Sequence, residues 1–174
     1  MTDRVKKVCF YGPESTGKST MAKFMAELYH TVSVPEVSRE FVSSNDFTIE
    51  DIIKIGHAQT GRILNAVQVA NEIVFCDTDL ITTQIYCRHY LKTVPPILLE
   101  LEKRVSFDLY LLMDIDVPWV ADGLRDLGER REEMFEVFKN ELDARNISYK
   151  LVSGSWDERK KIVKKEIDHL LSLR

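Results

Sequence analysis

No uninterrupted apolar run in this sequence approaches the roughly 18 residues needed to span a bilayer, and the first dozen residues, MTDRVKKVCFYG, lack the apolar stretch of a secretion signal. The cytoplasm is therefore the expected compartment. Cysteine is scarce: Cys9, Cys76 and Cys87 make an odd count without CxxC spacing, which argues against a structural zinc site or a disulfide framework. Cys9 and Cys76 sit within apolar runs, where a free thiol acts as a small buried hydrophobe. There is no excess of positive charge either. With 24 Lys and Arg against 28 Asp and Glu, the net charge is −4, so neither nucleic acid nor an anionic membrane is the expected partner. Repeats, low-complexity tracts and linkers are also missing.

What remains is 174 residues, 44% hydrophobic and 30% charged, enough for one domain with its own core over residues 1–174. Short apolar runs alternate with longer amphipathic ones. Strands are expected at Val5–Tyr11, Val32–Val37, Ile73–Asp77, Leu109–Asp114 and Tyr149–Val152, which are short and rich in β-branched or aromatic residues. Helices are expected at Lys18–Tyr29, Ile49–Asn71, Leu80–Tyr90, Pro96–Arg104, Arg130–Arg145 and Glu158–Leu173. Thr48 followed by Asp51 reads as a capping box for the second of these. This alternation predicts an α/β fold: a five-stranded parallel sheet between two helical layers, with ligands at the carboxyl ends of the strands. The least regular stretch, about 117–131, carries Pro118, Gly123, Gly128 and several charges, and is the candidate lid.

Gly12-Pro13-Glu14-Ser15-Thr16-Gly17-Lys18-Ser19 satisfies G-x-x-x-x-G-K-[ST], between an expected strand and an expected helix. The glycines permit backbone conformations closed to residues with a Cβ, so that successive N–H groups converge on one anion at a helix N-terminus. ATP is the expected ligand, bound by Gly12, Glu14, Ser15, Thr16, Gly17, Lys18, Ser19 and Thr20. Lys18 is assigned to the β- and γ-phosphates and the Ser19 hydroxyl to Mg2+. Asp77, an acid ending an apolar strand, is the second candidate for the metal, directly or through water. For Asp77 and Asp79 the competing reading is a turn or a helix cap.

At the end of the second expected strand, Glu36 is a candidate to orient or deprotonate an acceptor hydroxyl, and Arg39 to pair with a phosphate or carboxylate. An exposed, salt-bridged turn accounts for the same residues. Arg125 is the lid arginine assigned to the transferring phosphoryl group, because transfer needs cations on that group and water kept away. Trp119 either stacks on a flat substrate ring or packs in the core. Ser153, Trp156 and Arg159, after the last strand, are candidates to flank the adenine, with a plain helix cap as the alternative. Thr83 is a further candidate at the acceptor. His57 and Gln59, in mid-helix, are assigned no role.

The segments Gly12–Thr20, Glu36-Val-Ser-Arg-Glu40, Gly56-His-Ala-Gln59, Asp77-Thr-Asp-Leu-Ile-Thr-Thr-Gln84 with Cys87, and Pro118-Trp-Val-Ala-Asp-Gly-Leu-Arg-Asp-Leu-Gly128 together resemble the ribosylnicotinamide kinase domain of the NadR family. The resemblance implies ATP-dependent phosphorylation of the 5′-hydroxyl of nicotinamide riboside, a small-molecule substrate, to nicotinamide mononucleotide. It also strengthens the assignment of Glu36, Asp77, Asp79, Trp119 and Arg125 to the site. Pro35 and Val37 depart from the aromatic residues expected around the family's glutamate. The multi-domain members carry adenylyltransferase and often DNA-binding segments, so this sequence is expected neither to make NAD nor to repress an operator. Two other readings remain open: a kinase of another nucleoside or nucleotide, and a non-catalytic ATP-binding regulator that senses a nicotinamide compound.

Overall fold

Period-two alternation decides where the central strand puts its side chains. In the computed structural model, which describes residues 4–120 and 127–173, strand β1 (Lys6–Tyr11) runs through the middle of a five-stranded, all-parallel sheet of order β2-β3-β1-β4-β5. Its neighbours are β3 (Ile73–Asp77) and β4 (Leu109–Met113), and the edges are β2 (Val32–Val34) and β5 (Tyr149–Val152). Val8 and Phe10 face one helical layer, packing with Met21 and Met25 of α1 (Lys18–Leu28) and Val163 and Ile167 of α7 (Trp156–Ser172). Cys9 and Tyr11 face the other, packing with Ile81 and Ile85 of α4 (Leu80–Leu91) and Phe138 and Leu142 of α6 (Arg131–Ala144). A strand covered on both faces reads as one continuous apolar run, as this one does. Each fully buried Phe or Met in these layers contributes about 2–3 kcal/mol.

The remaining helices extend the second layer around the edge of the sheet. Ile63 of α3 (Ile49–Val69) packs on Val34, Val74 and Cys76, while Ile52 and Ile55 join Leu80, Leu98 and Leu101 where α3 meets α4 and α5 (Pro96–Lys103). The expected capping box is present: the Asp51 N–H donates to Thr48 Oγ1 at 3.2 Å, and the Thr48 N–H to Asp51 Oδ2 at 2.9 Å. No described helix is long and apolar enough to cross a membrane.

Most differences from the expected elements have a local cause. Strand β2 stops at Val34, because Pro35 has no N–H to continue a ladder. A one-turn helix, α2 (Ser38–Phe41), follows it, where the sequence gave no periodicity to read. Helix α7 opens two residues early, at Trp156, because Ser155 and Glu158 form a second capping box.

Candidate functional site

The carboxyl ends of β1, β3 and β2 meet at one end of the sheet, and the loop after β1 closes over it. Gly12, at φ 139°, starts this loop where a Cβ would stand 2.9 Å from the Met113 carbonyl oxygen of β4. Only glycine tolerates both that angle and that approach. Gly17, at φ 86°, is the N-cap of α1, and Ser15 also has a left-handed backbone at φ 58°. Within the loop the Thr16 hydroxyl donates to Pro13 O at 3.0 Å, and Lys18 Nζ donates to the same oxygen at 2.6 Å. Lys18 is only 8% exposed and lines the cavity under the loop.

Two arginines grip the loop from behind. Arg159, 1% exposed, donates from Nη1 to Thr16 O at 3.1 Å, from Nη2 to Asp114 O at 3.0 Å and from Nε to Gly154 O at 3.0 Å, and pairs with Asp116. Arg131 donates from Nη2 to Ser15 O at 3.1 Å and from Nη1 to Val117 O. In a planar trans peptide the N–H points opposite to the C=O. Holding the Ser15 and Thr16 carbonyls outward therefore aims the Thr16 and Gly17 N–H groups inward, as an anion cradle requires. The reading of Arg159 as flanking the adenine face is corrected by its burial: at 1% exposed, with its guanidinium held by four protein acceptors, it presents no face to a ligand.

Asp77 ends β3 in register with Phe10 of β1 and lines the same cavity. It is 6% exposed, and its Oδ1 has no hydrogen-bond partner among the described residues. Burial pushes its carboxyl up to about 6; Lys18 opposes that shift, and the charge of Glu36 adds to it. Glu36 stands just beyond the neighbouring strand β2, half-buried, where it accepts from the Ser38 hydroxyl at 2.7 Å. Two opposed acids and a lysine thus share one wall with the Ser19 side of the loop.

The cavity, about 290 Å³, continues from the loop past Arg39, Thr82 and Thr83 into a wall of Phe47, Ile52, Ile55, Gln59, Tyr86 and Tyr90. Tyr86 and Tyr90 lie one turn apart on α4 with ring planes 22° apart, and Phe47 meets Tyr90 edge-on at 5.4 Å. One end of the cavity is thus suited to phosphates, the middle to hydroxyls and the far end to a flat ring.

The structure brings Gly12, Glu14, Ser15, Thr16, Gly17, Lys18, Ser19, Thr20, Glu36, Arg39, Asp77 and Thr83 onto this cavity. Others lie elsewhere. Asp79 is buried as the N-cap of α4, accepting from the Thr82 N–H at 2.9 Å and from the Tyr110 hydroxyl at 2.8 Å. Both its oxygens serve the fold, so the cap reading holds and the acceptor role does not. Burial pushes its carboxyl above the usual range, against those donors. Trp119 lies flat on Gly128 in a small crevice with Pro13, Leu127, Arg131 and Met134; it does not line the wall of the main cavity, but Glu14 and Tyr86 are shared between crevice and cavity. Ser153 is off that wall too, while Trp156 covers the outer side of Gly17 and meets Phe24 edge-on. Arg125 and the lid residues 121–126 lie outside the described residues. The flanking lid segments are tied to the loop by Arg131 and by the Val120 N–H, which donates to Ser15 Oγ at 2.9 Å.

Sequence reasoning missed Phe47, Gln59, Tyr86, Tyr90 and Arg131. The spacing of Thr82, Thr83, Tyr86 and Tyr90, three and four residues apart, was the available signal for the tyrosines.

A family model described as AAA domain matches residues 7–159, from β1 to Arg159. The trifunctional NAD biosynthesis/regulator protein NadR of Escherichia coli (strain K12) is 37% identical over 155 residues, covering 83% of this chain and 37% of that protein. The NadR of Salmonella typhimurium is 39% identical over 132 residues, covering 71% of this chain and 32% of its own length, so the chain spans about a third of these curated relatives. Among solved structures, NadR protein in complex with NR superposes with a TM-score of 0.86 at 22% identity, over 98% of this chain and 53% of that one. NadR in complex with NAD and AMP-PNP gives 0.83 at 20% identity, over 98% and 51%. Deoxyadenosine kinase from M. mycoides shares the fold at a TM-score of 0.69 and 13% identity, over 94% and 99%. The chain belongs to the AAA domain family and is a homologue of the NadR proteins.

Proposed function

We propose that this chain is an ATP-dependent kinase that transfers the γ-phosphoryl group to the 5′-hydroxyl of nicotinamide riboside, forming nicotinamide mononucleotide and ADP. One observation carries the reading: a single cavity joins the phosphate loop to two acids and then to an aromatic wall of the size and polarity of a nucleoside. The relatedness to NadR proteins, and their solved complexes with NR and with AMP-PNP, support the same substrate pair.

The triphosphate sits on the inward N–H groups of the loop, at the N-terminus of α1. Lys18 exchanges the Pro13 carbonyl for the β- and γ-phosphate oxygens. The adenosine lies on the outer side of the loop, beside Trp156 and Ser153. Ser19 and Asp77 fit a magnesium ion: Asp77 Oδ1 is buried without a partner, and an adjacent cation would hold its carboxyl ionised. Magnesium bound there would neutralise charge on the β- and γ-oxygens. Glu36 accepts a hydrogen bond from the 5′-hydroxyl and aims its oxygen at the γ-phosphorus. A new O5′–P bond forms as the bond to the bridging oxygen breaks, and ADP leaves with that electron pair. The hydroxyl proton passes to Glu36. Arg125, from the lid, is assigned to the charge on the transferring group. Little base strength is needed, because positioning and charge stabilisation supply most of the rate.

A panel of acceptors with labelled ATP tests this. Nicotinamide riboside should exceed adenosine, thymidine and thymidylate in kcat/KM by 100-fold or more, on the order expected where a site hydrogen-bonds its substrate. Preference for one of the others would replace the assigned substrate while keeping the kinase. Tight binding without any phosphorylated product would point to a regulator instead.

A further inference from the structure

Gln59 lies in the middle of α3, on the cavity wall, with 2% of its surface exposed. Its Oε1 accepts from the Val37 N–H at 3.2 Å. A backbone N–H can only donate, so this contact fixes which end of the amide is oxygen. Nε2 therefore points away from Val37, and it has no hydrogen-bond partner among the described residues. A buried donor without an acceptor is destabilising, and native folds keep few of them. Phe47, Ile52 and Ile55 line the same cavity with apolar side chains, and the acceptor that completes Nε2 is left to be supplied from within it.

We infer that Gln59 is a specificity-determining residue whose Nε2 donates to a carbonyl oxygen carried on the flat ring of the acceptor nucleoside. The inference rests on the pyridine riboside reading proposed above and adds to it the atom that is read. A ring seated by the aromatic wall turns its 3-substituent toward α3, while its ribose hydroxyls remain near Glu36 and Thr83. The oxygen of a ring carboxamide is an uncharged acceptor that completes the Gln59 amide without adding charge to a cavity that already holds two acids.

The test compares three ribosides on the whole protein: nicotinamide riboside, 3-acetylpyridine riboside, which keeps the carbonyl and loses the amide nitrogen, and pyridine riboside, which loses the carbonyl. The first two should agree in kcat/KM to within about threefold, and the third should fall by about 10- to 100-fold. Gln59→Glu keeps an acceptor for Val37 but replaces the donor; in that variant nicotinamide riboside should drop to the level of pyridine riboside. Equal wild-type kcat/KM for all three would overturn the assignment and leave the kinase reading standing. So would wild-type discrimination that persists unchanged in Gln59→Glu. Failure of every pyridine riboside, with turnover of another nucleoside, overturns both.

Discussion

Replacing Asp77 with Asn should make the protein more stable and far less active, and the stability gain should depend on pH in a defined direction. The folded-state carboxyl stands at about 6 against an ordinary 3.8, because burial disfavours its charged form. Between those values the folded protein binds more protons at this site than the unfolded chain does, so stability contributed here falls as pH rises. Below 3.8 the carboxyl is neutral in both states and costs nothing extra. Above 6 it is ionised in both, and the full penalty of about 3 kcal/mol applies, from 2.2 pH units at about 1.4 kcal/mol each. At pH 4.5 the same linkage leaves a penalty of about 1 kcal/mol. Asn carries no charge at any pH, so the stability of Asp77→Asn minus that of the wild type should increase by about 2 kcal/mol from pH 4.5 to pH 8. Effects independent of pH, such as the changed shape and packing of the side chain, cancel in that comparison, while the attraction to Lys18 is already contained in the folded-state value. Urea unfolding of both proteins at several pH values measures the difference directly. A flat difference, or one that shrinks as pH rises, would mean that Asp77 is ionised and fully compensated in the free protein, and the argument for a site waiting for a cation would fail.

Three further outcomes follow from the loop. Lys18→Met should leave the unfolding midpoint near that of the wild type and lower kcat by about 10²–10³-fold, since its charge acts on the transferring group; an unchanged kcat would remove that role. Arg159→Met removes the arginine donor from the Thr16, Gly154 and Asp114 carbonyls and from Asp116 Oδ1, and should cost about 2–4 kcal/mol in urea unfolding while raising the KM for ATP; unchanged stability would contradict the gripping role. Gly12→Ala forces a Cβ to within 2.9 Å of Met113 O at φ 139°, and should cost about 2 kcal/mol or more and abolish ATP binding in a calorimetric titration.

The three inner strands were legible because a buried parallel strand writes itself as a continuous apolar run; the edge strands β2, Val-Ser-Val, and β5, Tyr-Lys-Leu-Val, are shorter and mixed, and were marked instead by β-branched and aromatic residues. The phosphate loop was legible for a different reason. Its glycines mark backbone angles that other residues avoid, and such angles at Gly12 and Gly17 are a local property. The far wall of the cavity was not local. Gln59, Phe47 and Tyr90 come from separated segments, and only the packing of α3 against α4 brings them together. Asp79 and Arg159 were misread for one shared reason: a charged residue beside a motif looks functional until its partners are known. Asp79 caps α4 and takes a hydrogen bond from Tyr110, thirty-one positions away, while Arg159 reaches Thr16 across 143. Helix α2 escaped notice because one turn carries too few residues for periodicity to register.

The account stands most directly on what becomes of the γ-phosphoryl group. Whole protein incubated with ATP, magnesium and nicotinamide riboside, followed by chromatography and phosphorus NMR, should yield ADP and nicotinamide mononucleotide in equal amounts, with the new phosphomonoester on the 5′-carbon. ADP appearing with free phosphate and unchanged riboside, or no ADP at all, would contradict it.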